Sequence, residues 1–387
     1  MKRMTNKLLA KLFCLSFLAV FFLQGCSEED SPNNGKPMIS YIRVTDPGSS
    51  DSLIVSASQG ALIAIIGENL GSARQIWFND QRASLTPTYL TNESILVSVP
   101  SDIPEHISNT LKIYFAGGDS LLHDFVVDIS EPAIQNMNCE YVLDGEVATI
   151  RGNYFYAPLT VTFAGGKEAE IVDVEDKLLK VRVPEGAQPG QITVRSNFGE
   201  TKSDFWFRDN RNIFLSSDPF TGWWNQSYVV SDPQAGDPIA INGNYIRVKQ
   251  MISGWQWNEV AGGPPDAMGD ISKNIPDEAI LNPEKYNFKF EVNTMKPYAA
   301  NVIKFTVGLT DFNNDQYLWN PPYDTKGEWQ TVVIPFEEMA AAYKDSGFEM
   351  KVDPNGYYTR VLFHGPGDLD CDMSFDNFRI VPKVIED

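Results

Sequence analysis

The residues best placed to do chemistry are indoles. Gly254-Trp255-Gln256-Trp257-Asn258-Glu259 runs on to Gly262-Gly263-Pro264-Pro265. In an extended backbone, residues two apart point to the same face, so Trp255 and Trp257 are expected to project side by side from one surface. Trp223 and Trp224 lie upstream in Thr221-Gly222-Trp223-Trp224-Asn225, and Trp319 and Tyr323 follow in Leu318-Trp319-Asn320-Pro321-Pro322-Tyr323. Six of the eight Trp fall after residue 210, several in polar, Pro-rich settings where an indole in water needs something to stack on. The competing reading puts the same rings in a β-sandwich core. Trp206 and Trp329 sit within strand-like runs and are expected there.

Other chemistries find less support. Asp311-Phe312-Asn313-Asn314-Asp315 opens like an EF-hand loop, but Gln316 and Pro322 stand where Gly and Glu are needed. Asp368-Leu369-Asp370-Cys371-Asp372 fails likewise, with Met373 and Arg379 at those positions. A structural calcium of another kind stays open, but the motifs themselves predict no metal and no cofactor. His106, His123 and His364 are dispersed, which argues against a zinc site or a Ser-His-Asp triad. A glycosidase needs two carboxylates across a cleft; Glu259, Asp266 and Asp270 can be nominated, yet nothing in their spacing sets them apart from loop acids.

The elements that must position the indoles are strands. Tyr286-Asn287-Phe288-Lys289-Phe290-Glu291-Val292 and Ile303-Lys304-Phe305-Thr306-Val307 alternate apolar and polar, which predicts half-buried antiparallel strands. Further strands are read at 327–336 and 373–381, with one short helix from Phe336 to Tyr343. Residues 210–387 are thus expected to form a jelly-roll-like β-sandwich.

The chain before it repeats itself. Pro37-Met38-Ile39, Ala61 to Leu70, Ile76-Trp77-Phe78, Ile95 to Pro100 and Asp124-Phe125 recur as Pro132-Ala133-Ile134, Val147 to Phe155, Val161-Thr162-Phe163, Val181-Arg182-Val183-Pro184 and Asp204-Phe205. Gly67 answers to Gly152, and Pro100 to Pro184. Short alternating strands split by turn residues indicate two β-sandwiches, over 37–130 and 131–209. Neither carries a cluster of His, Cys or carboxylates, so both read as a stalk. Cys139 and Cys371 are far apart in sequence and are expected as buried small apolar residues in place of a disulfide.

Residues 1–25 read as a signal segment: Lys2, Arg3, Lys7 and Lys11, then an apolar run from Leu12 to Leu23 too short to span a bilayer comfortably. Residues 26–36 are a polar, acidic tether. Removing the first 25 residues leaves 27 Lys and Arg against 51 Asp and Glu, a formal charge of −24. An acidic chain without a basic stripe is a poor nucleic-acid binder.

Several of these features resemble known families. Leu23-Gln24-Gly25-Cys26 is similar to the lipobox of bacterial lipoproteins, which implies lipidation of Cys26, and the acids after it resemble the surface-export signal of Bacteroidetes lipoproteins. The two repeats, with their Gly-x-x-Phe turn and Val-Pro strand end, resemble immunoglobulin-like (Ig-like) IPT/TIG domains. Gly222-Trp223-Trp224, Gly254-Trp255-Gln256-Trp257, Lys289 to Thr294 and Gly327-Glu328-Trp329-Gln330-Thr331 resemble the C-terminal domain of Bacteroidetes surface glycan-binding proteins of polysaccharide-utilisation loci. That resemblance implies an all-β protein: two Ig-like domains in tandem, then a larger glycan-binding β-sandwich. It also implies a non-catalytic role at the outer face of the outer membrane, lipid-anchored, beside a SusC/SusD-type transporter. The ligand implied is a polysaccharide or oligosaccharide of plant β-glycan type: xyloglucan, mixed-linkage β-glucan or β-mannan. Trp223 or Trp224 and Trp257 carry over as platform residues, with Trp255, Trp319 and Tyr323 behind them. The physics agrees, because an indole covers the C–H face of a pyranose while nearby Asn, Gln and Asp reach its hydroxyl rim. Two rival classes remain, a glycoside hydrolase and a structural or adhesive surface protein.

Overall fold

The computed structural model describes residues 35–49, 51–223, 225–310 and 317–383. The export segment with Cys26, Trp224 and the Asp311–Asp315 run lie outside them. The chain divides after Ile129 into two compact units. Among the described residues no helix is long and apolar enough to cross a membrane.

The first unit is a sandwich of two antiparallel sheets, with a short parallel pair between Ser56–Ser58 and Val126–Asp128. Met38–Val44, Leu62–Glu68 and Ser94–Ser98 form one sheet; Gln81–Ala83, Ala73–Phe78, Thr110–Phe115 and Ser120–Asp124 form the other. Alternate residues, among them Ile63, Ile65, Ile76, Phe78, Ile95, Val97, Leu111 and Ile113, meet in one core.

The second unit begins with the same plan. Ala133–Met137, Val147–Asn153, Leu178–Arg182 and Glu170–Glu175 face Lys167–Glu168, Thr160–Ala164, Gln188–Ser196 and Gly199–Phe207. Phe163 and Phe207 close its core in an edge-to-face pair, centroids 4.8 Å apart. The repeated glycine now has a cause. A Cβ on Gly67 would lie 2.0 Å from the Met38 carbonyl, and one on Gly152 would lie 1.9 Å from that of Ala133. In both copies this strand crosses a bulge in the first strand at contact distance, which only glycine permits.

The remainder is the larger sandwich. Its strands are β1 Ile213–Leu215, β2 Val229–Val230, β3 Tyr245–Ile252, β4 Asn258–Gly263, β5 Tyr286–Thr294, β6 Ile303–Leu309, β7 Tyr317–Trp319, β8 Trp329–Pro335, β9 Tyr358–Phe363 and β10 Leu369–Pro382, with helix α1 at Phe336–Asp345. One sheet runs β2-β3-β10-β5-β8, with β1 also on β10; the facing sheet runs β4-β9-β6-β7. Phe288, Phe290, Phe305, Phe363, Phe375 and Phe378 fill the space between.

β5 departs from the half-buried expectation, since Phe288 to Thr294 are buried on both faces. Its polar face looks onto the second Ig-like sandwich. Arg379 on β10 donates to Glu291 (2.8 and 3.0 Å) and to Glu140 (2.7 Å), while Lys289 donates to Glu140 at 2.6 Å. Thr331 Oγ1 donates to Glu291 and accepts the Glu140 N–H, both at 2.8 Å. Buried charges persist only when paired and hydrogen-bonded in this way. The second sandwich is therefore more than a stalk: it supplies one acid of a closed ion cluster and packs Cys139 and Tyr141 against Ile241, Tyr245 and Trp329. Cys139 and Cys371 are both buried and free.

Candidate functional site

The outer face of the four-stranded sheet carries the exposed rings. Along β6, Ile303, Phe305, Val307 and Leu309 enter the core; along β9, Val361 and Phe363 do. By the period of two, Lys304 and Thr306, then Arg360, Leu362 and His364, belong to the opposite face. Lys304 stands across from Leu362, and Thr306 from Arg360.

Edge strand β4 brings Trp257 to this face. Asn258 pairs with Phe363, so Trp257 falls beside His364, the ring centroids 5.0 Å apart. The Arg360 guanidinium lies over the Trp257 ring at 5.2 Å, and the indole N–H donates to Glu259 Oε1 at 2.8 Å. Glu259 Oε1 is also 3.7 Å from Arg360. The ring is thus held by its edge and from one side, yet stays 52% exposed.

Trp255 reaches the same imidazole by another route. Its centroid is 5.6 Å from that of His364 and the residue is 63% exposed, but the segment is not extended. Trp255 has φ +61°, in a turn closed by the Gln256 N–H on the Ser253 carbonyl at 3.0 Å. The two indoles flank His364 because of that turn, and not because residues two apart share a face. The Trp255 N–H donates to the Gly365 carbonyl (2.6 Å), and Asp368 accepts the Gly254 N–H (2.8 Å). A left-handed non-glycine residue costs on the order of 1–3 kcal/mol and is found where surrounding structure over-determines it, as at ligand clamps.

Trp223 sits near the far end of β4. Its N–H donates to the Gly262 carbonyl at 3.0 Å, and Gly222 bridges Gly262. A Cβ on Gly262 would lie 2.0 Å from the Thr359 carbonyl, so this glycine lets the backbone at Trp223 close onto an edge already packed from the other side. Trp223 is 58% exposed. Four strand residues, roughly 13 Å, separate Gly262 from Asn258. Asn225 donates through its side chain to the Glu259 carbonyl and helps hold the segment.

Trp319 and Tyr323, expected beside these rings, take another place. Trp319 lies on β7, the opposite edge of the sheet, and its side chain is half-buried against Phe290 (centroids 5.4 Å) and Tyr298 (5.3 Å). Tyr323 packs on it at 5.1 Å and donates to Gln330 at 3.1 Å. Both rings seal the core edge, because the inward side of β7 faces the Phe290–Tyr298 cluster. Trp329 is core, as expected; Trp206 is half-buried on an outer strand face beneath the Arg211 guanidinium, 3.7 Å away. His364 and Arg360 went unread in the sequence, because only the β4–β9 register brings them to Trp257. Asp266 and Asp270, nominated as acids, are exposed on the short helical segments Pro265–Met268 and Gly269–Lys273 after β4.

The domain is thus an antiparallel β-sandwich with Trp255 and Trp257 exposed at His364, and Arg360 and Glu259 holding Trp257. Residues 207–382 match the surface glycan-binding protein B xyloglucan binding domain. An IPT/TIG domain-containing protein of Bacteroides ovatus is 30% identical over 163 residues, 40% of this chain and 33% of the relative. The chain thus spans a third of the length of the curated relative it matches. The crystal structure of surface glycan-binding protein PbSGBP-B from Prevotella bryantii superposes with a TM-score of 0.67 at 23% identity, over 91% of this chain and 100% of that one, which shows a shared fold.

Proposed function

We propose that this protein is a non-catalytic cell-surface glycan-binding protein that captures a plant β-glycan by stacking pyranose rings on Trp257, Trp255 and Trp223. The observation that carries the reading is three indoles, each more than half exposed, two of them together on His364 and the third held by its backbone to the same edge strand. Exposed indoles are costly in water and gain from an apolar sugar face. Planar stacking is worth roughly 1–3 kcal/mol for a nucleobase, with a sugar toward the low end. Two or three such contacts, less ordering costs, place the affinity between about millimolar and micromolar. The domain match favours xyloglucan over mixed-linkage β-glucan and β-mannan. Glu259, the carboxylate at the rings, is engaged by Trp257 and Arg360, which suits orientation better than proton transfer.

On this reading Cys26 carries the lipid that anchors the protein at the outer membrane, facing outward beside a SusC/SusD-type transporter, and residues 37–130, 131–209 and 210–387 are successive domains. The test is calorimetric titration of the soluble 27–387 chain with xyloglucan, mixed-linkage glucan and mannan, with reducing ends assayed after long incubation. Binding of at least one glycan without new reducing ends is expected. Release of ends that disappears in Glu259→Gln would make the protein a hydrolase.

A further inference from the structure

We propose that the cavity beneath the Ser216–Asp218 turn is a divalent-cation site of the calcium type, with Asp376 and Asp218 as its anionic ligands. The cavity holds about 240 Å³ and is lined by Ser216, Asp218, Asn242, Asp376 and Asn377, with Ile213 and Leu215 as its apolar wall.

Asp376 is the reason. It is only 5% exposed, on the bulged stretch of β10. Its Oδ1 accepts the Asn377 N–H at 2.9 Å, while its Oδ2 is buried without a hydrogen-bond partner. The nearby cations are largely committed elsewhere: Arg379 places Nη1 on Glu291 and Nη2 on Glu140 and Glu291, leaving only its Nε without a hydrogen bond, and Lys289 bonds Glu140. Asp376 pairs in register with Glu291 itself. Three buried acids, Glu140, Glu291 and Asp376, therefore face two buried bases, Lys289 and Arg379. A carboxylate left over in such a setting either keeps a proton, as burial and Glu291 favour for Asp376, or meets a positive charge.

The cavity supplies what a hard cation needs. Asp218 brings a second carboxylate at the rim, fixed by the Asn244 N–H on both its oxygens at 2.9 and 3.0 Å. Asn242, which donates through Nδ2 to the Asn377 amide oxygen, adds its own amide oxygen, and Ser216 a hydroxyl. Carboxylate, amide and hydroxyl oxygens without imidazole or thiolate suit calcium, and two carboxylates match its charge. The consequence reaches the rings, because Asp218 lies five residues before Trp223, in the turn that the Ser217–Phe220 bridge closes. A cation here would pin the start of the segment that ends on the platform.

The experiment uses the 27–387 chain stripped with chelator. Addition of calcium chloride at about 100 times its dissociation constant is expected to raise the melting temperature by roughly 5 °C, and calorimetry to show one binding event. Asp376→Asn keeps the shape and removes the charge, so it should fold and lose the response. Asp218→Asn, at the exposed rim, should weaken calcium binding about tenfold or more and keeps the test open if the buried variant does not fold. Identical melting in chelator and in millimolar calcium with no heat of binding overturns the proposal. So does an Asp376→Asn or Asp218→Asn protein that responds like the parent. Neither readout depends on a glycan, so failure here leaves the glycan reading standing.

Discussion

The two sheets of the C-terminal sandwich treat their outer faces in opposite ways. Behind β5 and β10, charge is buried and mostly paired: Arg379 and Glu291 have no exposed surface, Glu140 arrives from the preceding sandwich to join them, and of the acids there only Asp376 keeps an oxygen without a partner. Outside β9 and β4, Trp257, Trp255 and Trp223 are each more than half exposed, and Trp257 and Trp255 rest on Arg360 and His364. The first face is built to be rigid, the second to be covered by something else. Substitutions on one should therefore change stability, and on the other, affinity.

The largest effect is expected from Glu140→Ala. It leaves Lys289 buried without its acid, takes one of two acids from the Arg379 Nη2, and should cost about 3–5 kcal/mol in denaturant unfolding of the second unit. Glycan affinity measured well below the transition should be unchanged. For the same reason a fragment beginning at residue 210 should be less stable than one beginning at 130, which retains Glu140. Trp319→Ala comes next, with a loss of roughly 3 kcal/mol in stability, because its ring packs on Phe290 and Tyr298, and affinity within twofold of the parent. A binding defect in Trp319→Ala without a stability defect would move the platform to the other edge of the sheet. Trp223→Ala should do the reverse, lowering affinity about three- to tenfold by titration with a small change in melting temperature.

The smallest effect is at the end of the second sandwich, where the chain passes into the C-terminal one. The Gly186 N–H and the Arg208 guanidinium hold the Asp144 carboxyl below its ordinary range. A lowered acid pKa stabilises the fold above the unfolded value, about 3.9, and that contribution is lost as pH falls through the depressed native value. Asp144→Asn should therefore flatten the acid limb of a stability profile below about pH 4, leaving neutral pH affinity alone.

The sequence made some of this plain. Gly67 and Gly152 announce the repeat because each is forced by a strand crossing that admits no Cβ, and such a constraint leaves a residue type behind. The alternation of β6 and β9 likewise records which residues enter the core. Other features leave no local mark. Lys289 and Glu291 look like the wet side of a strand until Glu140, some 150 residues earlier, is seen to cover them. His364 joins Trp257 only through the pairing of Asn258 with Phe363. Trp319 and Trp257 read alike as Trp in polar surroundings, and only their places on opposite edges of one sheet separate a core ring from an open one.

The most direct test is Trp257→Ala in the 27–387 chain, titrated with xyloglucan and melted in parallel. The ring lies over Arg360, faces solvent and adds little to the core, so affinity should fall at least tenfold, about 1.4 kcal/mol, with the melting temperature nearly unmoved. Unchanged affinity with a collapsed melting temperature would contradict the account, because it would make Trp257 a core residue and leave the open face without a ligand.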